Sequence, residues 1–300
     1  MISLRNSLEK IGEPDGNGPF KPIPSGFHSS PQNIRAAVNA MNDPLIEGWT
    51  LTHIDNFNNQ EWTEECQGIA TDGSFWYVVS NNENKRAVYK FSLDFNLIKF
   101  GVAPVNQHIG HPAVWSNKIY IPVEPPEEDN NSRVWVLDTE LSSFGIFDLG
   151  FNEDRNPPGK MPWCAINPWN SYLYTSVSSG VDLVSAYDPN NSFSFKKTLK
   201  MEGEKINSVQ GGCFSNNGHL YLTSDDSADI RGYSALNGKF LGSFKLDYGD
   251  GDEIEGLCIG RTIDSTGKSS FVHVIILDNE SISRDDVYIN HFSVPDPSVL

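Results

Sequence analysis

From about residue 49 onward, apolar and polar residues alternate in short runs, the period-two pattern of half-buried strands. The runs also repeat. CQGIATDGSFWYVVSNN, GHPAVWSNKIYIPVEPP, PWCAINPWNSYLYTSVSS and VQGGCFSNNGHLYLTSDD align on one another. Each reads as a strand, a tight turn and a second strand centred on Tyr77, Tyr120, Tyr174 or Tyr221. A third strand follows in each copy (RAVYKFS, RVWVLDT, LVSAYDP, IRGYSAL), then a fourth, outer one (NLIKFG, SFGIFDL, FSFKKTL, KFLGSFKLD). Asp-Gly, Asn-Gly and Asn-Asn pairs at the turns supply the left-handed residues that tight hairpins need.

A fifth copy, EGLCIGRTI, FVHVIILDN and VYINHFSV, lacks an outer strand, and GWTLTHIDNF at residues 48–57 is left without a sheet. Joining the two closes a ring and leaves no open edge. The copies begin at Gln67, His111, Trp163, Gln210 and Glu255, and four strands per repeat of this length is the propeller pattern. The expected fold is therefore all-β. It is a five-bladed β-propeller with blades at about 66–101, 110–150, 161–201, 208–247 and 253–294, the last completed by 48–57. Residues 1–47 carry no strand pattern. They read as an extended Gly-, Pro- and Ser-rich segment with one helix at about 31–42, capped by Ser30, begun by Pro31 and striped by Ile34, Ala37, Val38 and Met41. This segment is expected to lie against the ring and cover one mouth of its channel.

On these repeats the chain resembles the NHL-repeat, gluconolactonase-like and plant-type glutaminyl cyclase propellers. The resemblance covers about residues 49–300 and implies a funnel-shaped ligand site around the central channel. It implies no particular reaction, because the fold hosts many.

Composition narrows the partners. Asp and Glu number 39 against 22 Lys and Arg, a formal charge of −17, which argues against nucleic acid and anionic lipid. With 11% aromatic residues the chain is expected to fold as a soluble protein and, lacking any association signal, as a monomer. No apolar run reaches the ~20 residues that span a bilayer. The first residues hold no secretory apolar stretch, so a cytoplasmic location is expected. Cys66, Cys164, Cys213 and Cys258 stand too far apart for a zinc pair and are expected to be reduced, buried thiols. There is no GxSxG elbow, phosphate-binding GxxxxGK[ST] loop or dinucleotide GxGxxG, so no organic cofactor is expected.

Inner strands start on the ligand face, so Gln67, His111, Trp163, Gln210 and Glu255 should ring the channel mouth, each followed by a small residue. Asn81, Glu124, Ser178, Asp225 and Asp278 end the second strands and should form a surrounding ring. Closing the ring brings Glu65 and Gln67 near Glu253 and Glu255. Crowded carboxyls raise one another's pKa, which gives an acid beside an ionised base. The alternative is a hard divalent cation, Ca²⁺ or Mg²⁺, on Glu255, Asp225 and Asp278. The gluconolactonase-like resemblance implies such an oxygen-rich set. The glutaminyl cyclase resemblance rests on a Gln-Gly blade start, Gln67-Gly68, and a channel tryptophan, Trp163.

His111, Glu255 and Glu65 are the candidate catalytic residues; Gln67, Trp163, Gln210, Glu124, Asn81 and His108 are candidates for binding the substrate. His53, His219, His273 and His291 read as structural. Two functions remain open. One is an acid–base hydrolase, lyase or cyclising isomerase acting on a small or sugar-like molecule; the other is a non-catalytic propeller binding a glycan, peptide or cationic partner on the same acidic face.

Overall fold

A computed structural model describes residues 48–126, 131–149, 160–249, 251–279 and 284–295; the helix and extended segment expected within 1–47 lie outside these residues. The described chain folds into five four-stranded antiparallel sheets. Blade 5 joins β18 (Asp252–Ile263), β19 (Ser269–Asp278) and β20 (Asp286–Ser293) to β1 (Thr50–Phe57), the most N-terminal strand, as its outer member. Blade 1 is β2 (Cys66–Thr71), β3 (Phe75–Ser80), β4 (Ala87–Ser92) and β5 (Leu97–Val102). Blade 2 is β6 (Ala113–Trp115), β7 (Lys118–Val123), β8 (Arg133–Asp138) and β9 (Ser143–Asp148). Blade 3 follows with β10 (Ala165–Ile166), β11 (Leu173–Thr175), β12 (Leu183–Asp188) and β13 (Ser194–Lys200). Blade 4 is β14 (Gly212–Phe214), β15 (His219–Ser224), β16 (Asp229–Ser234) and β17 (Phe240–Lys245). The five blades and the closing strand are those the repeats predict.

The apolar residues divide into five buried clusters, and each lies between two neighbouring blades. Ile69 and Trp76 of blade 1 meet Cys258, Ile275 and Val287 of blade 5, while Tyr221 and Ile230 of blade 4 meet Ile254 and Ile276 from its other side. Both faces of a blade are thus covered, which explains why the middle strands are buried along nearly their whole length. The four cysteines are free thiols, three of them buried.

The outer hairpins depart from the turn chemistry read in the sequence. Phe95, Leu141 and Phe193 hold left-handed φ values of 54°, 62° and 53°, where blade 4 uses Gly238 at 71°. A large residue in that conformation costs about 1–2 kcal/mol. The cost is offset by burial: Leu141 and Phe193 insert into the clusters shared with the preceding blade, and Phe95 stacks on Trp76.

At the axis the inner strands crowd together. The ring of His111 fills the centre: a Cβ built on Gly68 or Gly256 would stand 2.3 or 2.2 Å from its Nδ1. A Cβ on Gly212 would fall 2.5 Å from the Trp163 ring, and one on Gly211 would fall 2.4 Å from the Gly256 Cα. His111 and Trp163 also bridge blades 2 and 3 through their backbones, His111 N–H donating to the Pro162 carbonyl at 2.8 Å. The glycines that follow three of the blade starts, Gly68, Gly211 and Gly256, and Gly212 beside them, are therefore fixed by these two rings and by one another.

Gly256→Ala is expected to cost about 1–3 kcal/mol, because the buried imidazole cannot swing away from the added methyl. The double variant Gly256→Ala/His111→Ala should recover part of that loss. Urea unfolding of both single variants and the double checks this; strictly additive costs would show that the ring and the glycine do not oppose each other.

Candidate functional site

Two residues at the axis are set apart by backbone geometry. In blade 5 the β18–β19 register slips between Ile254 and Gly256, which makes Glu255 the bulged residue. In blade 1 the β2–β3 register slips between Cys66 and Gly68, which makes Gln67 its counterpart. A bulge places two residues opposite one and re-aims a side chain that regular pleating would hold in the sheet. The sequence thus delivers a carboxyl and a carboxamide from the same position of adjacent blades.

Glu255 is 3% exposed. Burial first, then the charge of Glu253 and a hydrogen bond with it, then Asp225 and Glu65, raise its pKa well above the ordinary 4.5. Glu65, on the loop entering blade 1, is raised too, by desolvation and then by Asp285, Glu253 and Glu64. The Glu65 N–H donates to Asp285 Oδ2 at 2.8 Å, which ties this loop to the blade 5 side of the closure. The result is a carboxyl cluster with one member enclosed and biased toward its acid form, built where the ring closes.

Around this cluster the outer ring residues are held by a repeated link. The Asn81 N–H donates to the Glu65 carbonyl at 2.8 Å, the Glu124 N–H to the His108 carbonyl at 2.9 Å and the Asp225 N–H to the Ser208 carbonyl at 2.9 Å. The Asn81 Oδ1 accepts from Arg86 Nε of its own blade at 2.9 Å and reaches the next blade to accept from the Ile109 N–H at 3.2 Å. Asp225 does the same, its Oδ1 accepting from the Ile254 N–H at 2.9 Å and from the Tyr248 hydroxyl at 3.2 Å. Asn81 and Asp225 therefore satisfy strand-entry backbone groups between blades.

On the blade 2 side the rim changes sign. Glu124 lies 3.4 Å from Lys160 Nζ and 3.8 Å from His108 Nδ1. Burial lowers the His108 pKa, Glu124 opposes this, and Lys160 and Arg86 lower it further. Arg86 and Lys160 were not among the residues singled out in the sequence. Lys160 sits in a connection that does not repeat between blades, while Arg86 stands directly before β4, at the aligned start of a third strand, where it reads as an ordinary strand-end residue.

The structure separates the remaining candidates by depth. His111 and Trp163 are 1% and 0% exposed and form the packed plug of the channel, not its lip. Burial drives the His111 pKa down to about 3 against hydrogen bonds with the Gly212 and Leu257 backbone, so the ring is neutral. The Trp163 indole donates to Ser176 Oγ at 3.0 Å. Gln67 is buried and Gln210 half-buried. Asp278 pairs across the sheet with Asp252 and Asp286 and acts on the Tyr288 phenol.

Among the described residues, the one set of three potential metal ligands within 4.8 Å of one another is His53, Asp55 and His291. Glu255, Asp225 and Asp278, the oxygen set expected from the sequence, are not grouped in this way.

No family model matches the chain, and no curated protein matches its sequence. Solved structures do match by shape. A glutaminyl cyclase from Myxococcus xanthus superposes with a TM-score of 0.56 at 10% identity, covering 83% of this chain and 97% of that one. A virginiamycin B lyase from Staphylococcus aureus gives 0.47 at 8% identity over 81% and 99%. A luciferin-regenerating enzyme gives 0.47 at 11% over 81% and 95%. At 10% identity, the likeness to the glutaminyl cyclase shows a shared fold.

Proposed function

We propose that this protein is a small-molecule acid–base enzyme working at the acidic mouth between blades 5 and 1, with Glu255 as its proton donor. The observation that carries this reading is a buried glutamate on a bulge, hydrogen-bonded to a second glutamate. Two carboxyls that share a proton present an acid and a base at once. In a cyclisation, elimination or hydrolysis, Glu255 gives its proton to the departing amine or oxygen. Glu253 or Glu65 takes the proton lost by the nucleophile or the carbon, and proton exchange within the cluster restores the starting state. Gln67, from the matching bulge, orients the substrate.

The mouth is bipolar, and this bears on the substrate. Glu65, Glu253 and Asp285 favour an ammonium group on one side; Arg86, Lys160 and His108 offer cationic or donor groups to an anionic or carbonyl end on the other. We therefore favour substrates that carry an amine and an acyl or carboxyl group, such as short peptides and amino-acid derivatives. His111 supports the site from beneath as packing, and no step is assigned to it. The same acidic rim also suits passive binding of a cationic partner.

A panel containing N-terminal glutaminyl peptides, amino-acid amides and lactones, followed by ammonia release and mass spectrometry, tests the reading. Glu255→Gln is expected to lower turnover at least ~100-fold while the substrate still binds. Turnover equal to that of the parent would sink the assignment, and ligand binding without turnover in either protein would favour the passive alternative.

Stability gives a check that needs no substrate. A folded pKa raised above the unfolded 4.5 means that the fold keeps a proton which the unfolded chain has released, so stability falls as pH rises from 4.5 through the folded value. Glu255→Gln removes this dependence. The variant should melt above the parent at about pH 8, and the gap should close as pH falls toward the unfolded value. Parallel melting curves across pH would show that Glu255 is not held protonated.

A further inference from the structure

A second constellation lies on the three outer strands of blade 5, and the acid–base site does not use it. His53 on β1 pairs in register with His291 on β20, and His291 pairs with His273 on β19. The three imidazoles form a row across adjacent strands: His53 stacks on His291, His291 and His273 face Trp76, and His291 also faces Phe95 of blade 1. Asp55 stands two residues along β1 on the same face, with its Oδ2 3.2 Å from His291 Nε2. Glu255 belongs to β18, the innermost strand, whereas His53, Asp55 and His291 stand on β1 and β20, and the Gly260 carbonyl that anchors the row lies further along β18.

The hydrogen bonds fix where the ring protons sit. His273 Nε2 lies 2.9 Å from the Gly260 carbonyl, which can only accept, so that nitrogen carries hydrogen. In the neutral ring, His273 Nδ1 is then a lone pair. It lies 2.7 Å from His291 Nδ1, which must donate to it. This leaves His291 Nε2 as a lone pair on a side chain only 3% exposed. It makes no hydrogen bond: the nearby Asp55 oxygen is out of line for one and is itself an acceptor.

His53 repeats the arrangement. The Thr52 hydroxyl donates to the His291 carbonyl at 2.8 Å and so accepts from His53 Nδ1 at 2.9 Å, which frees His53 Nε2 as a second lone pair. That nitrogen faces the Asp264 carboxylate at 4.0 Å.

Two imidazole lone pairs and a carboxylate thus lie close together, and His291 Nε2 has no hydrogen-bond donor, an arrangement that a cation relieves. We propose that His53, Asp55 and His291 form a binding site for a divalent transition metal of the zinc type. Their ligand atoms lie within 4.8 Å of one another. The His291–Asp55 separation of 3.2 Å is already close to that of two ligands each about 2.0–2.2 Å from a tetrahedral ion. His53 and Asp55 are partly exposed and draw in, while His291 is held by His273 in the way that a second partner orients a ligating imidazole. Two imidazoles and one carboxylate select zinc, cobalt or nickel over calcium and magnesium, which prefer all-oxygen sites. The ligands come from β1 and β20, so the ion would clamp the strand pair that closes the ring.

The full chain, stripped with a chelator and titrated with Co²⁺, tests this. The expected result is one equivalent bound with the visible d–d absorption of a four- or five-coordinate ion, displaced by Zn²⁺, and a rise in melting temperature with Zn²⁺ that Ca²⁺ and Mg²⁺ do not produce. His53→Ala and Asp55→Asn, chosen because both sites are partly exposed and the fold should survive, should each weaken cobalt binding at least ~10-fold. Glu255→Gln should leave it unchanged. No cobalt absorption and no zinc-dependent shift, or full binding in both variants, would overturn the proposal and leave the histidine row as packing within blade 5.

Discussion

Every blade of this protein is apolar on both faces, and this requirement governs the rest of the structure. A twisted four-stranded sheet cannot bury two faces alone, so each blade needs a neighbour on either side, and the series has no stable end until it meets itself. The five interblade clusters are the consequence, one for each junction. In blades 1 to 4 the outer strand follows the third through a short turn. In blade 5 it comes from the other end of the chain, and β1 pairs with β20 from Thr50 to Phe57. Large residues in left-handed turns are tolerated for the same reason: each drives an apolar side chain into a junction that would otherwise hold a gap.

Closing five strands on one axis leaves little room at the centre, and the chain fills it with one imidazole and one indole. The choice of glycine at Gly211 follows from the close approach of the Gly256 backbone, and at Gly68, Gly212 and Gly256 from that plug. It also decides where chemistry can occur. With the axis packed shut, a ligand meets only what stands above it: Glu255 and Gln67 on their bulges, the Glu65 loop and the rim. Glu255 is then enclosed from below by a neutral histidine and crowded from the side by carboxylates, and both circumstances favour its protonated form. A packed channel floor and a protonated acid are two effects of one crowding.

The repeat made the fold legible. Strand, turn and tyrosine recur at nearly constant spacing, and the orphan strand at residues 48–57 has one place to go. The same alignment placed Gln67 and Glu255 at equivalent positions, and their bulges explain why a polar residue interrupts the inner strand there. What an alignment of blades gives is an angle around the axis. It does not give depth along it, so His111 and Trp163 look like lip residues when they are the plug. Nor does it reach the unrepeated connection that holds Lys160, and it shows Arg86 only as the polar first residue of a third strand. The row of His53, His291 and His273 was invisible for another reason. Its register depends on pairing β1 with β20 across most of the chain, and each histidine alone reads as an ordinary residue of a strand.

Blade 5 therefore carries two opposing demands. Near the start of β18 it buries a carboxyl whose confinement opposes folding wherever the unfolded chain would release the proton. Its integrity rests on β1, the one strand of the ring that chain connectivity does not hold beside its neighbour. Were β1 to leave, the β20 edge would be bare and the clusters on both sides of the blade would meet water together, because Trp49 and Phe57 flank that strand and pack into the two junctions. A cost placed in the blade with the weakest tether is sustainable only if the tether is reinforced. The described residues supply that reinforcement in the same blade: apolar anchors at both ends of β1, the Asp285 and Asp286 contacts to the loop that follows it, and the row of imidazoles across its middle.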